Sequence, residues 1–156
     1  MKNEKRYYIA YGSNLSVTQM HWRCPDAKVV GKGELNDWRL LFKGSKTGSY
    51  LTIERCKGSK VPVAVWEVSE RDEAALDRYE GYPSFYYKEE LTFEFRSVIT
   101  GKKHKAIVFV YIMHEDRPLG IPSEHYLKIC AAGYYLFKFD TKYLKEALHY
   151  SEEVME

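Results

Sequence analysis

Between Tyr86 and Arg96 the chain alternates, with Tyr87, Leu91, Phe93 and Phe95 on one side and Lys88, Glu90, Thr92, Glu94 and Arg96 on the other. A period of two is the signature of a half-buried strand. Thr100-Gly101-Lys102 reads as a turn, and the eight residues Ala106 to Met113 return without a polar interruption. Together they predict a long hairpin whose second strand is the more deeply buried. Upstream, Arg6 to Ala10, Lys28 to Val30, Trp38 to Phe42, Tyr50 to Arg55 and Val61 to Val68 are short runs rich in β-branched or aromatic residues. Clusters of Gly, Asn, Asp and Ser separate them, so they are expected to be successive strands.

Helical spacing occupies the gaps. Ser16 followed by Gln19 has capping-box spacing, which predicts a short helix that stops before Pro25. Ser69 with Asp72 repeats the signal ahead of Ala74, Ala75 and Leu76, and Gly81 is the expected stop. Beyond Pro118 and Pro122, Ser123 caps a segment with apolar residues at Tyr126, Leu127, Cys130, Ala131 and Tyr134. Asp140 is the expected cap of a last helix with Tyr143, Leu144, Ala147 and Leu148 as its buried stripe. Strands early and helices late point to an α+β fold. No repeat, low-complexity tract or linker divides the chain, so one domain over residues 1–156 is expected.

Composition narrows the function classes. With 45% apolar residues and 24 Lys and Arg against 22 Asp and Glu, the chain is neither disordered nor basic enough to suggest nucleic acid. Lys102, Lys103, His104 and Lys105 read as a solvated hairpin tip. The eight-residue apolar run is far short of the ~18 that would suggest a membrane span. The N-terminus carries Lys2, Lys5 and Arg6 but not the apolar stretch of a secretion signal. Cys24, Cys56 and Cys130 are an odd, scattered set that argues against a disulfide framework and fits a reducing, cytoplasmic compartment. His21 and Cys24 lack the clustered partners of a metal site. Ser13 lacks the G-x-S-x-G elbow of a serine nucleophile.

Two features carry candidate chemistry. The first strand runs into Tyr11-Gly12-Ser13-Asn14-Leu15, a tight turn at a helix start, where backbone N–H groups can receive a carboxylate or a developing oxyanion. Glu80, in Leu76-Asp77-Arg78-Tyr79-Glu80-Gly81-Tyr82-Pro83, falls at a predicted helix C-terminus, where the macrodipole disfavours an acid. Shielding by Tyr79 and Tyr82 would raise its pKa further, toward a value at which a carboxylate takes and returns protons near neutrality.

The pentapeptide Tyr11-Gly12-Ser13-Asn14-Leu15 after the first strand, the downstream Glu80-Gly81 and a later-strand tyrosine at Tyr111 together resemble the γ-glutamylcyclotransferase-like superfamily, over about Tyr7 to Tyr135. The resemblance implies a small mixed β-barrel flanked by helices. It also implies Glu80 as the acid/base and Tyr11, Gly12, Ser13, Asn14, Leu15 and Tyr111 as substrate contacts. A further pocket tyrosine is implied shortly after the glutamate, where Tyr86 is preferred over Tyr87 by spacing. Many relatives then carry an Arg where this chain has Tyr87-Lys88, so the local polar network is expected to differ.

The implied reaction releases 5-oxoproline and a free amine from a small-molecule γ-glutamyl substrate without a metal or cofactor, because the substrate's α-amine is the nucleophile. With ~4.3 for an ordinary Glu and ~8 for an α-amine, the proton transfer is uphill by roughly 5 kcal/mol, and a Glu lifted to ~6–7 removes more than half of that. The leaving amine is expected to be read by a rim including Met113 to Ser123. There Glu115 and Asp116 read as an exposed acidic loop. A non-catalytic binding protein for a γ-glutamyl or other acidic metabolite is the alternative. A phosphate-binding loop ranks last for want of the Walker lysine. No nucleic-acid or membrane partner is expected. A monomer is the default, and a homodimer is compatible with the same sequence.

Overall fold

The computed structural model describes residues 5–45 and 48–155. Its strands are β1 (Arg6–Ala10), β2 (Lys28–Ser45), β3 (Gly48–Val68), β4 (Tyr86–Ser97) and β5 (Lys103–Met113). They close into a barrel in the order β1-β3-β2-β4-β5. β1 runs antiparallel to β3 and parallel to β5, so the barrel is mixed. The β4–β5 hairpin pairs from Tyr86↔Met113 to Arg96↔Lys103 as the alternation predicts. Its tip leaves Lys102, Lys103, His104 and Lys105 exposed. Closure between β2 and β4 runs through Gly31↔Ser97 and Lys32↔Arg96. A Cβ on Gly31 would lie 2.3 Å from the Phe95 ring and 2.8 Å from the Arg96 carbonyl oxygen, so a glycine lets the two strands approach.

Two strand expectations need correction. The runs expected as four strands between Lys28 and Val68 merge into the two long strands β2 and β3. The polar clusters between them are irregularities within a strand, not turns. Register shifts fall between Val29 and Gly31 and between Asn36 and Trp38. At the second, Asp37 (φ 67°) faces Gly58 (φ 88°), and the Gly58 N–H donates to the Asp37 carboxylate at 3.0 Å. Bulges of this kind bend a strand so that a sheet can curve shut. The β4 alternation also stops before the strand begins. Phe93 and Phe95 are buried and Glu90, Thr92, Glu94 and Arg96 exposed, but Tyr86 is buried as well. Lys88, expected on the wet face, has only an 18% exposed side chain.

The cover over this end of the sheet is α2 (Glu70–Glu80). Lys88 Nζ lies 2.7 Å from Glu73 Oε2 and 3.0 Å from Asp77 Oδ1. With a helix outside and the barrel inside, Val108 to Met113 of β5 is buried on both faces. α1 (Val17–Arg23) starts where expected, with the Gln19 N–H donating to Ser16 Oγ at 3.3 Å. α3 (Glu124–Phe137) starts at Ser123 and seats Cys130, Gly133, Tyr134 and Phe137 in the core. α4 (Lys142–Val154) begins one residue later than expected. Thr141 holds the N-cap position, while the Asp140 carboxylate accepts the Lys142 N–H at 2.9 Å. The three cysteines are free thiols. Among the described residues no helix is long and apolar enough to cross a membrane.

The start of α2 is held unusually firmly. Ser69 Oγ accepts the Asp72 N–H, and the Asp72 carboxylate accepts the Ser69 N–H at 3.1 Å and the Asp26 N–H at 3.3 Å. Ser69 Oγ donates to Asp26 at 2.7 Å, and Arg71 donates to both Asp26 oxygens at 2.7 and 2.8 Å. The chain leaving α1 is thereby tied to the helix that ends in Glu80. Asp72 is fully buried, so truncating it strands two N–H donors as well as breaking the cap. Asp72→Ala is therefore expected to cost about 2 kcal/mol, a fall of roughly 4–8 °C in Tm, read by thermal unfolding.

Candidate active site

β1 ends in buried backbone, and the chain turns at Gly12 into one 3₁₀ turn, Ser13–Leu15, that leads to α1. A Cβ on Gly12 would lie 3.3 Å from Leu51 Cδ1 and 3.4 Å from the Tyr126 hydroxyl, so the loop presses against β3 and α3. Leu15 anchors it from the other side. The residue is fully buried, and its Cβ sits 2.5 Å from where a side chain on Gly133 would begin. Asn14 is also buried; its Nδ2 donates to the Tyr8 hydroxyl at 2.9 Å and its Oδ1 accepts from Arg23. Ser13 Oγ and the Tyr79 hydroxyl share a hydrogen bond of 3.0 Å.

Gly81 stops α2 in the left-handed conformation (φ 63°), which leaves Glu80 as the last helical residue beside this loop. Tyr11, Gly12, Ser13, Asn14, Glu80, Tyr86 and Tyr111 line one cavity. All were expected from sequence. Leu15 lies behind the lining as a core anchor. Tyr86, not Tyr87, turns to the cavity, while the Tyr87 hydroxyl donates to Glu115 at 2.5 Å. Tyr8, Leu51 and Tyr126 complete the lining and were not foreseen. Tyr126 was read as part of a helical core stripe, and Tyr8 and Leu51 sit in strand runs with no local mark of a site. The volume is about 20 Å³, close to the room of a single water. Residues His114 to Pro118 border a separate cleft with Ser84.

The phenols are held by hydrogen bonds to elements far apart in the chain. Tyr11 donates to the Tyr111 carbonyl at 2.7 Å, Tyr86 to the Leu51 carbonyl at 2.8 Å, and Tyr111 to Asp77 Oδ1 at 2.6 Å. The Tyr126 hydroxyl accepts the Leu51 N–H at 3.0 Å. Burial raises the pKa of all five cavity tyrosines above the ordinary phenol value, and the nearby acidic groups Glu80 or Asp77 push most of them the same way. They are neutral hydrogen-bonding groups at any working pH. Lys88 reaches Tyr111 through Asp77.

Glu80 is half-buried, and its side chain lines the cavity. Desolvation pushes its pKa up to about 8, with the Arg23 guanidinium pulling the other way. Its place in the last turn of α2 acts in the same direction as burial. No donor among the described residues hydrogen-bonds to the carboxyl. A carboxyl of this kind, facing a cavity, can accept a proton and give it back near neutrality.

Comparison with known proteins accords with this arrangement. A family model described as gamma-glutamyl cyclotransferase, AIG2-like, matches residues 8–128. Gamma-glutamylcyclotransferase of Bos taurus is 32% identical over 138 residues, covering 83% of this chain and 70% of the bovine protein. The Homo sapiens protein of the same name is 31% identical with the same coverage. A solved structure named gamma-glutamyl cyclotransferase superposes with a TM-score of 0.77 at 27% identity, covering 92% of this chain and 86% of its own. The chain thus belongs to the gamma-glutamyl cyclotransferase, AIG2-like family, and it is an enzyme of the γ-glutamylcyclotransferase type.

Proposed function

We propose that the protein cyclises the γ-glutamyl group of a γ-glutamyl amine or amino acid to 5-oxoproline, with Glu80 as general acid/base. The substrate's α-amine attacks its own γ-carbonyl carbon; the C–N bond of the five-membered ring forms, the γ-amide C–N bond breaks, and the free amine departs. Glu80 takes one proton from the α-ammonium to free the attacking lone pair; the ring nitrogen sheds a second proton once its C–N bond has formed, and both protons end on the departing nitrogen, which leaves as an ammonium, with the same carboxyl as the relay. Because nucleophile and electrophile belong to one molecule, a folded-back conformer supplies most of the entropic advantage, ~7–11 kcal/mol in well-oriented cases. No metal or cofactor is needed for a nucleophile the substrate already carries.

The observation that supports this reading is the unpaired carboxyl of Glu80 facing the same cavity as the Gly12–Asn14 loop. At a pKa of about 8 the proton exchange with an α-amine of ~8 is close to level, where an ordinary Glu would face roughly 5 kcal/mol. This tuning exceeds the ~6–7 that the mechanism minimally asks for. The first N–H groups of the Ser13–Leu15 turn have no intrahelical acceptor and suit the α-carboxylate of a glutamyl unit.

Three outcomes test the assignment. Incubated with γ-glutamyl amines, γ-glutamyl amino acids and glutathione, the wild type is expected to release 5-oxoproline from at least one; release from none would assign the cavity to binding alone. Glu80→Gln is expected to bind that substrate while losing 10²–10⁴-fold in kcat, and retained turnover would remove Glu80 from its role. Since the base form is required, kcat/KM is expected to fall about tenfold per pH unit on the acid side of pH 8.

Stability gives a readout that needs no substrate. The folded pKa of Glu80 lies above its unfolded value, so its contribution is fully present below ~4.3, is lost as pH rises through about 8, and thereafter opposes folding. Glu80→Gln is expected to match wild type in Tm at pH 4–5 and to exceed it by several °C at pH 9, measured by differential scanning calorimetry.

A further inference from the structure

Of the five tyrosines around the cavity, Tyr11, Tyr86 and Tyr111 spend their hydroxyl hydrogens on protein acceptors, namely the Tyr111 carbonyl, the Leu51 carbonyl and Asp77. Tyr126 accepts from Leu51 and neighbours the Cys130 thiol. Tyr8 differs. Its hydroxyl accepts from Asn14 Nδ2 at 2.9 Å, and its own hydrogen has no acceptor among the described residues. The residue is 3% exposed. Its ring is fixed against Phe109 and Tyr111, with centroids 5.4 and 5.8 Å away.

The direction of that hydrogen bond is dictated from outside the cavity. An arginine has five donors and no acceptor. Arg23 therefore compels Asn14 to present its oxygen to the guanidinium and its NH₂ to Tyr8. An amide NH₂ only donates, so the Tyr8 oxygen accepts and its hydrogen is left to point elsewhere. Arg23 is itself braced by Gln19 Oε1 at 3.5 Å and by the Tyr79 ring, 3.4 Å from guanidinium carbon to ring centroid. Tyr8 and Glu80 line the same cavity of about 20 Å³, so that free O–H and the carboxyl border one space.

We propose that Tyr8 is a catalytic hydrogen-bond donor to the γ-carbonyl oxygen as it becomes an oxyanion, and that Arg23 and Asn14 are positioning residues that aim it. This rests on the cyclotransfer reading and assigns within it the group that meets the developing negative charge. The proton stays on Tyr8; only the hydrogen bond strengthens as charge builds on the oxygen, which is where a donor fixed in advance lowers a barrier. Burial keeps the phenol protonated and able to donate throughout.

The test is a double-mutant cycle on Tyr8→Phe and Asn14→Asp, assayed at pH 9 by 5-oxoproline release, with thermal unfolding to verify folding. Tyr8→Phe removes one oxygen and is expected to lower kcat 10²–10³-fold with KM within about threefold. Asn14→Asp removes no volume but replaces a donor with an acceptor, which draws the Tyr8 hydrogen away from the cavity, so a comparable fall in kcat is expected. In the Tyr8→Phe background the Asn14→Asp change should add less than about threefold, because the hydrogen it diverts is already gone. An active wild type with Tyr8→Phe within threefold of its kcat, or two effects that multiply in full, overturns the proposal while leaving the cyclotransfer reading intact. A wild type that releases no 5-oxoproline overturns both. If Tyr8→Phe does not fold, Asn14→Asp alone decides: kcat within threefold of wild type overturns the assignment.

Discussion

Removing a carboxyl from water raises the free energy of its ionised form far more than that of its neutral form. Glu80 carries this penalty at the end of α2, where the helix C-terminus adds to it and Arg23 relieves part of it. Much of the surrounding architecture serves to keep the group in that position. The capping box at Ser69 and Asp72 fixes where α2 begins, Gly81 fixes where it ends, and Lys88 ties its middle to the barrel through Glu73 and Asp77. A helix secured at both ends and once between delivers its last side chain to a reproducible place.

The barrel supplies the opposite wall. β1 is a short strand paired on both sides, antiparallel to β3 and parallel to β5, so the loop that follows it leaves the sheet from a rigid edge. Leu15 under Gly133 and Gly12 against Leu51 leave that loop little freedom to move. Tyr11, Tyr86 and Tyr111 then bridge the loop after β1, β3, β4, β5 and α2 through their hydroxyls. Each phenol contributes apolar area to the core and a polar tip to the network, which suits a wall that must exclude water yet offer hydrogen bonds. Most of those tips are already satisfied by the protein; among the described residues the Glu80 carboxyl and the Tyr8 hydroxyl hydrogen are not.

The helix starts were legible because their causes are local: Ser16, Ser69 and Ser123 each accept from a backbone N–H in the first turn, as their spacing announces. The β4–β5 hairpin was legible for the same reason. Reading β2 and β3 as four shorter strands failed because Gly, Asn and Asp have the same local preferences in a bulge as in a turn. What distinguishes the two is the partner strand, as when Asp37 on β2 receives the N–H of Gly58 on β3. The expected exposure of Lys88 failed in a similar way. A period of two assumes one wet face, and α2 covers that face only at one end.

Within the site, the sequence by itself determined the loop Tyr11 to Leu15, the position of Glu80 at a helix end, and the tyrosines Tyr86 and Tyr111, because turn chemistry, capping and a family pattern are written in contiguous residues. Tertiary structure alone decided that Tyr8, Leu51 and Tyr126 share the cavity, that Leu15 faces the core, and that Arg23 stands between Asn14 and Tyr79. Those facts depend on barrel closure and on helix placement across sequence separations of up to 118 positions, from Tyr8 to Tyr126. Desolvation and hydrogen-bond direction are properties of the surroundings a residue acquires on folding, and no local pattern encodes them.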